Sequence, residues 1–195
     1  MSFFEIARQP LALATRRAFL GRSGALLSTG AVALLAGCQR RAVAAKADTQ
    51  SMANDVGILN AALAAEHEGV AAYQVGAESG LLQKAVLDLA VQFQGHHKAH
   101  ADLLAATVKQ LGGKPVGPKD TYMFPTDKLK SQADVLRFAA QLEFGAVTAY
   151  LGAVPVLNDR ELARAAASIL GDEAMHAAVL RYALGENPVP AAFVA

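Results

Sequence analysis

Six side chains able to share a cation recur at matched places along this chain. Glu66 begins Glu66-His67-Glu68-Gly69-Val70-Ala71-Ala72-Tyr73, and Glu143 begins Glu143-Phe144-Gly145-Ala146-Val147-Thr148-Ala149-Tyr150, so a glutamate precedes Ala-Tyr by the same span twice. His97-Lys98-Ala99-His100 and Glu173-Ala174-Met175-His176 form a second repeated unit, each with two donors at i, i+3. At about 100° per residue that spacing stacks both donors of a pair on one helical face. Carboxylate oxygens and imidazole nitrogens are ordinary ligands of first-row transition ions.

The neighbours say which way these groups face. Glu66 shares a stripe with Leu63, Val70 and Tyr73, and Glu143 with Ala139, Ala146, Val147 and Tyr150. His97 and His100 lie between Phe93 and Leu104, and Glu173 and His176 between Ile169 and Leu180. Three glutamates and three histidines are thus expected in a core. A buried carboxylate without a partner costs several kcal/mol or takes up a proton. A bound cation removes that cost, and a closed network of Glu–His ion pairs is the alternative. His96, four residues before His100, offers another ligand pair, but the repeat selects His97. His67 and Glu68 read as solvated-face residues. Tyr73 and Tyr150 read as packing residues, with a hydrogen bond to a ligand as a second role. Gly69 and Gly145 read as points of close helix approach, since glycine inside a helix otherwise costs about 1 kcal/mol.

Four helices must carry these groups. Apolar residues at three-to-four spacing predict helices over 55–79, 81–111, 131 to about 155, and 159–184, with Asp55 and Ser131 as N-caps and Gly80, Gly112-Gly113 and Gly185 as stops. Residues 114–130, with three prolines, make a connection longer than antiparallel neighbours need. The expected fold is all-α: a four-helix bundle of two antiparallel hairpins joined by a long crossover.

The N-terminus reads differently. Arg16-Arg17-Ala18-Phe19-Leu20 precedes an apolar run that ends in Leu35-Ala36-Gly37-Cys38, and that run is shorter than the roughly 20 residues that span a bilayer. It resembles a twin-arginine export signal followed by a lipoprotein lipobox. The resemblance implies that Cys38, the single cysteine, is lipidated, and Gln39 after it implies outer-membrane sorting where the host has one. One cysteine excludes an intrachain disulfide, and a net charge of +1 without a basic, aromatic-interleaved cluster gives no footprint for nucleic acid. The expected divisions are a signal peptide at 1–37, a tether at 38–54, a bundle at 55–186 and a tail at 187–195.

Glutamate from two helices with a Glu-x-x-His pair from each of two others is the ligand set of ferritin-like di-iron and di-manganese carboxylate proteins. The chain resembles that family over its four helices, and is most similar to exported bacterial ferritin-like proteins, a group akin to desiccation-related ones. The resemblance implies Glu66, His97, His100, Glu143, Glu173 and His176 as ligands of iron or manganese, mononuclear or dinuclear, with zinc also compatible. It differs at position 97, where the family has glutamate. Three carboxylates then face two divalent ions, and a single ion, an asymmetric pair or an emptied site all remain open. The implied protein is attached to the cell envelope on the periplasmic side through Cys38, handles iron, manganese or oxidants, and admits a homodimer. The competing reading is a non-enzymatic, stress-associated structural or partner-binding lipoprotein.

Overall fold

A computed structural model describes residues 49–194, which form helices and their connections without a strand. The leader, the lipobox and Cys38 lie outside the described residues. Four long helices follow one another: α1 (Thr49–Glu78), α2 (Lys84–Gln110), α3 (Gln132–Ala153) and α4 (Arg160–Ala183). Single 3-10 turns at Thr126–Lys128 and Val154–Val156 interrupt the connections. α1 packs along α2 and α3 along α4, while α1 also meets α3 and α2 meets α4. This is the expected bundle of two hairpins with one long crossover. No helix among the described residues is long and apolar enough to cross a membrane.

Local chemistry accounts for most of the helix ends. Ser131 Oγ accepts from the Asp134 amide and caps α3 as expected, and Asp159 Oδ1 accepts from the amides of Glu161 and Leu162 and caps α4. Gly112 (φ +79°) and Gly185 (φ +75°) turn the chain out of α2 and α4 in a left-handed conformation that a side chain would resist. The crossover is pinned along α1, where Asn60 donates to the Lys114 carbonyl at 3.1 Å and accepts from the Val116 amide at 2.9 Å.

The start of α1 departs from expectation. The helix begins at Thr49, so the last residues assigned to the tether are helical, and Asp55 lies inside the helix. Asp55 is buried and does its capping elsewhere. Its Oδ1 accepts from the Asn158 amide at 2.8 Å and from Asn158 Nδ2 at 2.9 Å, and its Oδ2 accepts from the Asp159 amide at 3.0 Å. One carboxylate thereby ties α1 to the turn between α3 and α4.

The buried apolar residues fall into two clusters. One contains Leu59, Leu63, Leu104, Val108, Leu162 and Ile169, and the other Tyr73, Phe93, Leu136, Ala139 and Leu180. In each helix the ionisable residues sit between members of the two clusters, so a polar layer is enclosed above and below by apolar ones. Asp55→Ala is expected to leave two backbone amides without an acceptor and to lower unfolding stability by about 2–3 kcal/mol, as read from chemical denaturation.

Candidate metal centre

All six residues singled out by the repeat meet in the polar layer. Glu66, His97, Glu143, Glu173 and His176 are at most 4 % exposed, and His100 is nearly as enclosed. Their donor atoms form two overlapping groups. Glu66 Oε2, His97 Nδ1, Glu173 Oε1 and His100 Nδ1 stand around one point, with neighbouring separations of 2.8, 3.6, 3.0 and 3.6 Å in ring order. Around a second point, His97 Nε2 and His176 Nδ1 each lie 3.4 Å from Glu143 Oε1, and His176 Nδ1 lies 3.1 Å from Glu173 Oε2. Within each group the candidate ligand atoms all lie within 4.8 Å of one another. His97 and Glu173 belong to both groups, each offering a different atom to either side.

The two tyrosines cross between hairpins. Tyr150 of α3 donates to Glu66 Oε1 at 2.6 Å, and Tyr73 of α1 donates to Glu143 Oε1. Burial, then the facing carboxylate, pushes both phenols up, so they stay neutral donors. Each fixes a glutamate from the opposite half of the repeat, which leaves Glu66 Oε2 free to face the histidines.

Two glycine expectations separate. A Cβ on Gly69 would come within 3.0 Å of His97 Nδ1, so this glycine makes room for the imidazole ring of α2. Gly145 is exposed, and a Cβ there would meet nothing within 4 Å, so it does not mark a close approach. Instead Gly69, Gly145, Ala146 and Ala149 line a cavity of about 220 Å³ that reaches Glu66 and His97. Glu68 also lines it and is only half-exposed, and His67 lies 3.3 Å from the Val116 carbonyl, so neither is a simply solvated residue.

Sequence reasoning missed Asp172. Its Oδ2 lies 3.3 Å from His100 Nε2 and 3.4 Å from His176 Nε2, the nitrogens that point away from the centre. A carboxylate behind a ligating histidine fixes the ring and its tautomer. The signal available was its place: it immediately precedes the Glu-x-x-His pair, one turn before His176 on the same helix. His96 lies beside it, 3.3 Å from Asp172 and 2.8 Å from His176 Nε2, and does not face the inner points.

With protons alone, the histidines must supply the charge. Burial works against their ionisation, but hydrogen bonds donated to Glu143 and Glu66 raise His97 to about 10. Asp172, Glu173 and Glu66 raise His100 to about 11, and Glu143 and Glu173 raise His176 to about 9, again against burial. Burial would push Glu66 and Glu143 up, yet the same imidazoles hold both below the usual carboxylate range.

A metal ion fits the residues present. His100 Nδ1, Glu143 Oε2 and Glu173 Oε1 are buried with no hydrogen-bond partner. His100 Nδ1 and Glu173 Oε1 are only 3.0 Å apart, so they are close without being aligned for a hydrogen bond. Two such atoms at the first point, with a third unpaired carboxylate oxygen on a ligand of the second, suit a cation.

Fold and site together define a four-helix bundle with a buried carboxylate–histidine centre built from all four helices. The chain belongs to the ferritin-like domain family, whose model matches residues 54–186. It is similar to a conserved hypothetical protein from Mycobacterium tuberculosis, with 25 % identity and a TM-score of 0.64 over 73 % of this chain and 99 % of the other. It is also similar in fold to a ferritin-like, diiron-carboxylate protein from Bacillus anthracis str. Ames, with 22 % identity and a TM-score of 0.59 over 69 % of this chain and 97 % of that one. No curated protein matches.

The charge network sets opposite pH dependences with and without metal. The raised histidines stabilise the metal-free fold fully below their unfolded value of about 6.5, and that contribution fades as pH rises through 9–11. The lowered glutamates stabilise it above about 4.5 and cease to do so as pH falls. Thermal melts of metal-free protein are expected to peak between roughly pH 4.5 and 6.5. Metal must displace the imidazole protons, so the melting shift on adding Fe(II), Mn(II) or Zn(II) should grow from pH 6 to pH 8, by about 1.4 kcal/mol of binding free energy per pH unit for each proton released.

Proposed function

We propose that this protein is an envelope-anchored ferritin-like protein that holds one or two transition-metal ions in its core and handles iron, manganese or small oxidants there. The observation that carries this reading is the convergence of six donors from four helices, with buried lone pairs that satisfy no hydrogen bond. Iron or manganese suits a mixed carboxylate–imidazole set, and zinc is compatible with it. A bound ion would supply Lewis acidity and, for iron or manganese, one-electron chemistry.

The chain's own residues divide the remaining work. Glu66 and His100 serve one position, Glu143 and His176 the other, and Glu173 offers one oxygen to each. Tyr73 and Tyr150 hold the glutamates in place, and Asp172 holds the outer nitrogens of His100 and His176. The small-residue cavity beside Glu66 and His97 gives a molecule of peroxide size a way in. His97 makes the two positions unequal. A neutral imidazole has one lone pair, so His97 ligates on one side and presents N–H to the other. One position therefore has four protein donors and the other three.

The anchor rests on Arg16-Arg17 and the Leu35-Ala36-Gly37-Cys38 run, whose resemblance to an export signal and lipobox supports a position for the mature protein at the periplasmic face of the envelope. Export of a domain already folded suits a buried metal centre, since ligands from four helices come together only in the folded bundle. The competing reading is a structural lipoprotein whose centre is only an ion-pair network. The close His97–Glu66 pair at 2.8 Å favours that reading where no metal is retained.

Three measurements test this. Protein purified from its own compartment should contain near-stoichiometric transition metal, and Glu143→Leu with His176→Leu should abolish the metal. Absence of metal in the native protein, together with a double variant as stable as the parent or more so, would leave only the structural reading. Calorimetric titration of metal-free protein should resolve two unequal binding steps, and His97→Glu should bring them closer by restoring a two-oxygen bridge; equal steps in the parent would refute the asymmetry. Cys38→Ala should move the protein from the membrane to the soluble fraction, and unchanged fractionation would refute the anchor.

A further inference from the structure

On the outer flank of the centre lies a cluster of donor atoms through which neither buried position binds. His96 Nδ1 and His176 Nε2 are 2.8 Å apart, and Asp172 Oδ2 lies 3.3 Å from the first and 3.4 Å from the second. A point about 2.0–2.1 Å from all three atoms exists just off the plane of this triangle, which is the length of zinc–nitrogen and zinc–oxygen bonds. The rings are held in place: Phe93 stacks on His176 with centroids 4.0 Å apart, and His96 lies beside the same ring at 5.0 Å. Side-chain exposure falls from 37 % at His96 through 25 % at Asp172 to 2 % at His176, so the cluster runs from solvent to the core.

We propose that His96, Asp172 and the outward nitrogen of His176 form a second cation site, which takes a divalent ion of the zinc class from solvent and stages it for the buried centre. The staging role rests on the metal-centre reading above, whereas the outer site stands on its own geometry. His176 links the two. Its Nδ1 faces Glu143 and Glu173, and its Nε2 faces His96 and Asp172, but a neutral ring can give its lone pair to only one side. An ion held outside must therefore release His176 before the inner position can claim it. Asp172 Oδ2 also touches His100 Nε2, so movement at the outer site is felt by a ligand of the other inner position. The remaining open coordination position belongs to water, as expected for a site that exchanges its ion.

The test uses the full-length chain, stripped of metal and given ZnCl₂, with helicity checked by circular dichroism. Glu66→Gln with Glu143→Gln cripples the inner positions and should leave one zinc bound, lost on adding His96→Ala. In the parent, His96→Ala should leave the final inner metal content unchanged but slow zinc loading by about tenfold or more in stopped-flow. Zinc anomalous scattering from crystals of the crippled variant should place the ion between His96, Asp172 and His176. No zinc in that variant, or zinc that ignores His96→Ala, overturns the outer site. An unchanged loading rate in His96→Ala overturns the staging role. If parent and crippled variant bind the same single zinc, and both lose it with His96→Ala, the inner-centre reading fails while the outer site stands.

Discussion

Three glutamate side chains closed off from water, between two apolar layers, set the terms for the rest of the bundle. Carboxylates in that setting must meet positive charge, and the surrounding groups are arranged to provide it in either of two forms. Protons on His97, His100 and His176 can balance them, or a cation can take the same space once those protons leave. The four helices, the crossed tyrosines and the Asp55 tie between hairpins all hold the donors at a spacing that serves both states. Protons and a cation would therefore compete for the same space.

The inward faces of the helices were legible because their periodicity is local. Glu66 and Glu143 could be placed from neighbours three, four and seven residues away, and the same arithmetic placed His97, His100, Glu173 and His176. Contacts between distant segments were not legible in that way. Asp55 looks like an N-cap because it precedes a periodic run, but the amides it serves belong to Asn158 and Asp159 of the other hairpin, about a hundred residues on in the chain. Tyr73 and Tyr150 repeat with their glutamates in sequence, yet each serves the glutamate of the other half, an exchange that only the packing of α1 on α3 reveals. Gly69 and Gly145 are one position out of step in the repeat, since counting from the glutamates aligns Gly69 with Ala146, and although both line the same cleft only Gly69 backs onto His97.

Position 97 is where the internal symmetry of the chain fails. Glu173 has two oxygens and can face both inner points at once, but His97 reaches both only by using nitrogens at opposite edges of its ring. The substitution keeps the reach of a bridging residue while removing its charge. Inequality between the two halves of the site is thus built into a side chain.

The empty space at Gly69 makes this exchange conditional. With the ring of His97 only 3.0 Å from where a Cβ would stand, even an alanine on α1 would press against the imidazole. An alanine at 69 would therefore require the ring of His97 to shift by a few tenths of an ångström, away from the atoms it now meets on Glu66. The place of the ring on α2 thus depends on a side chain that α1 does without.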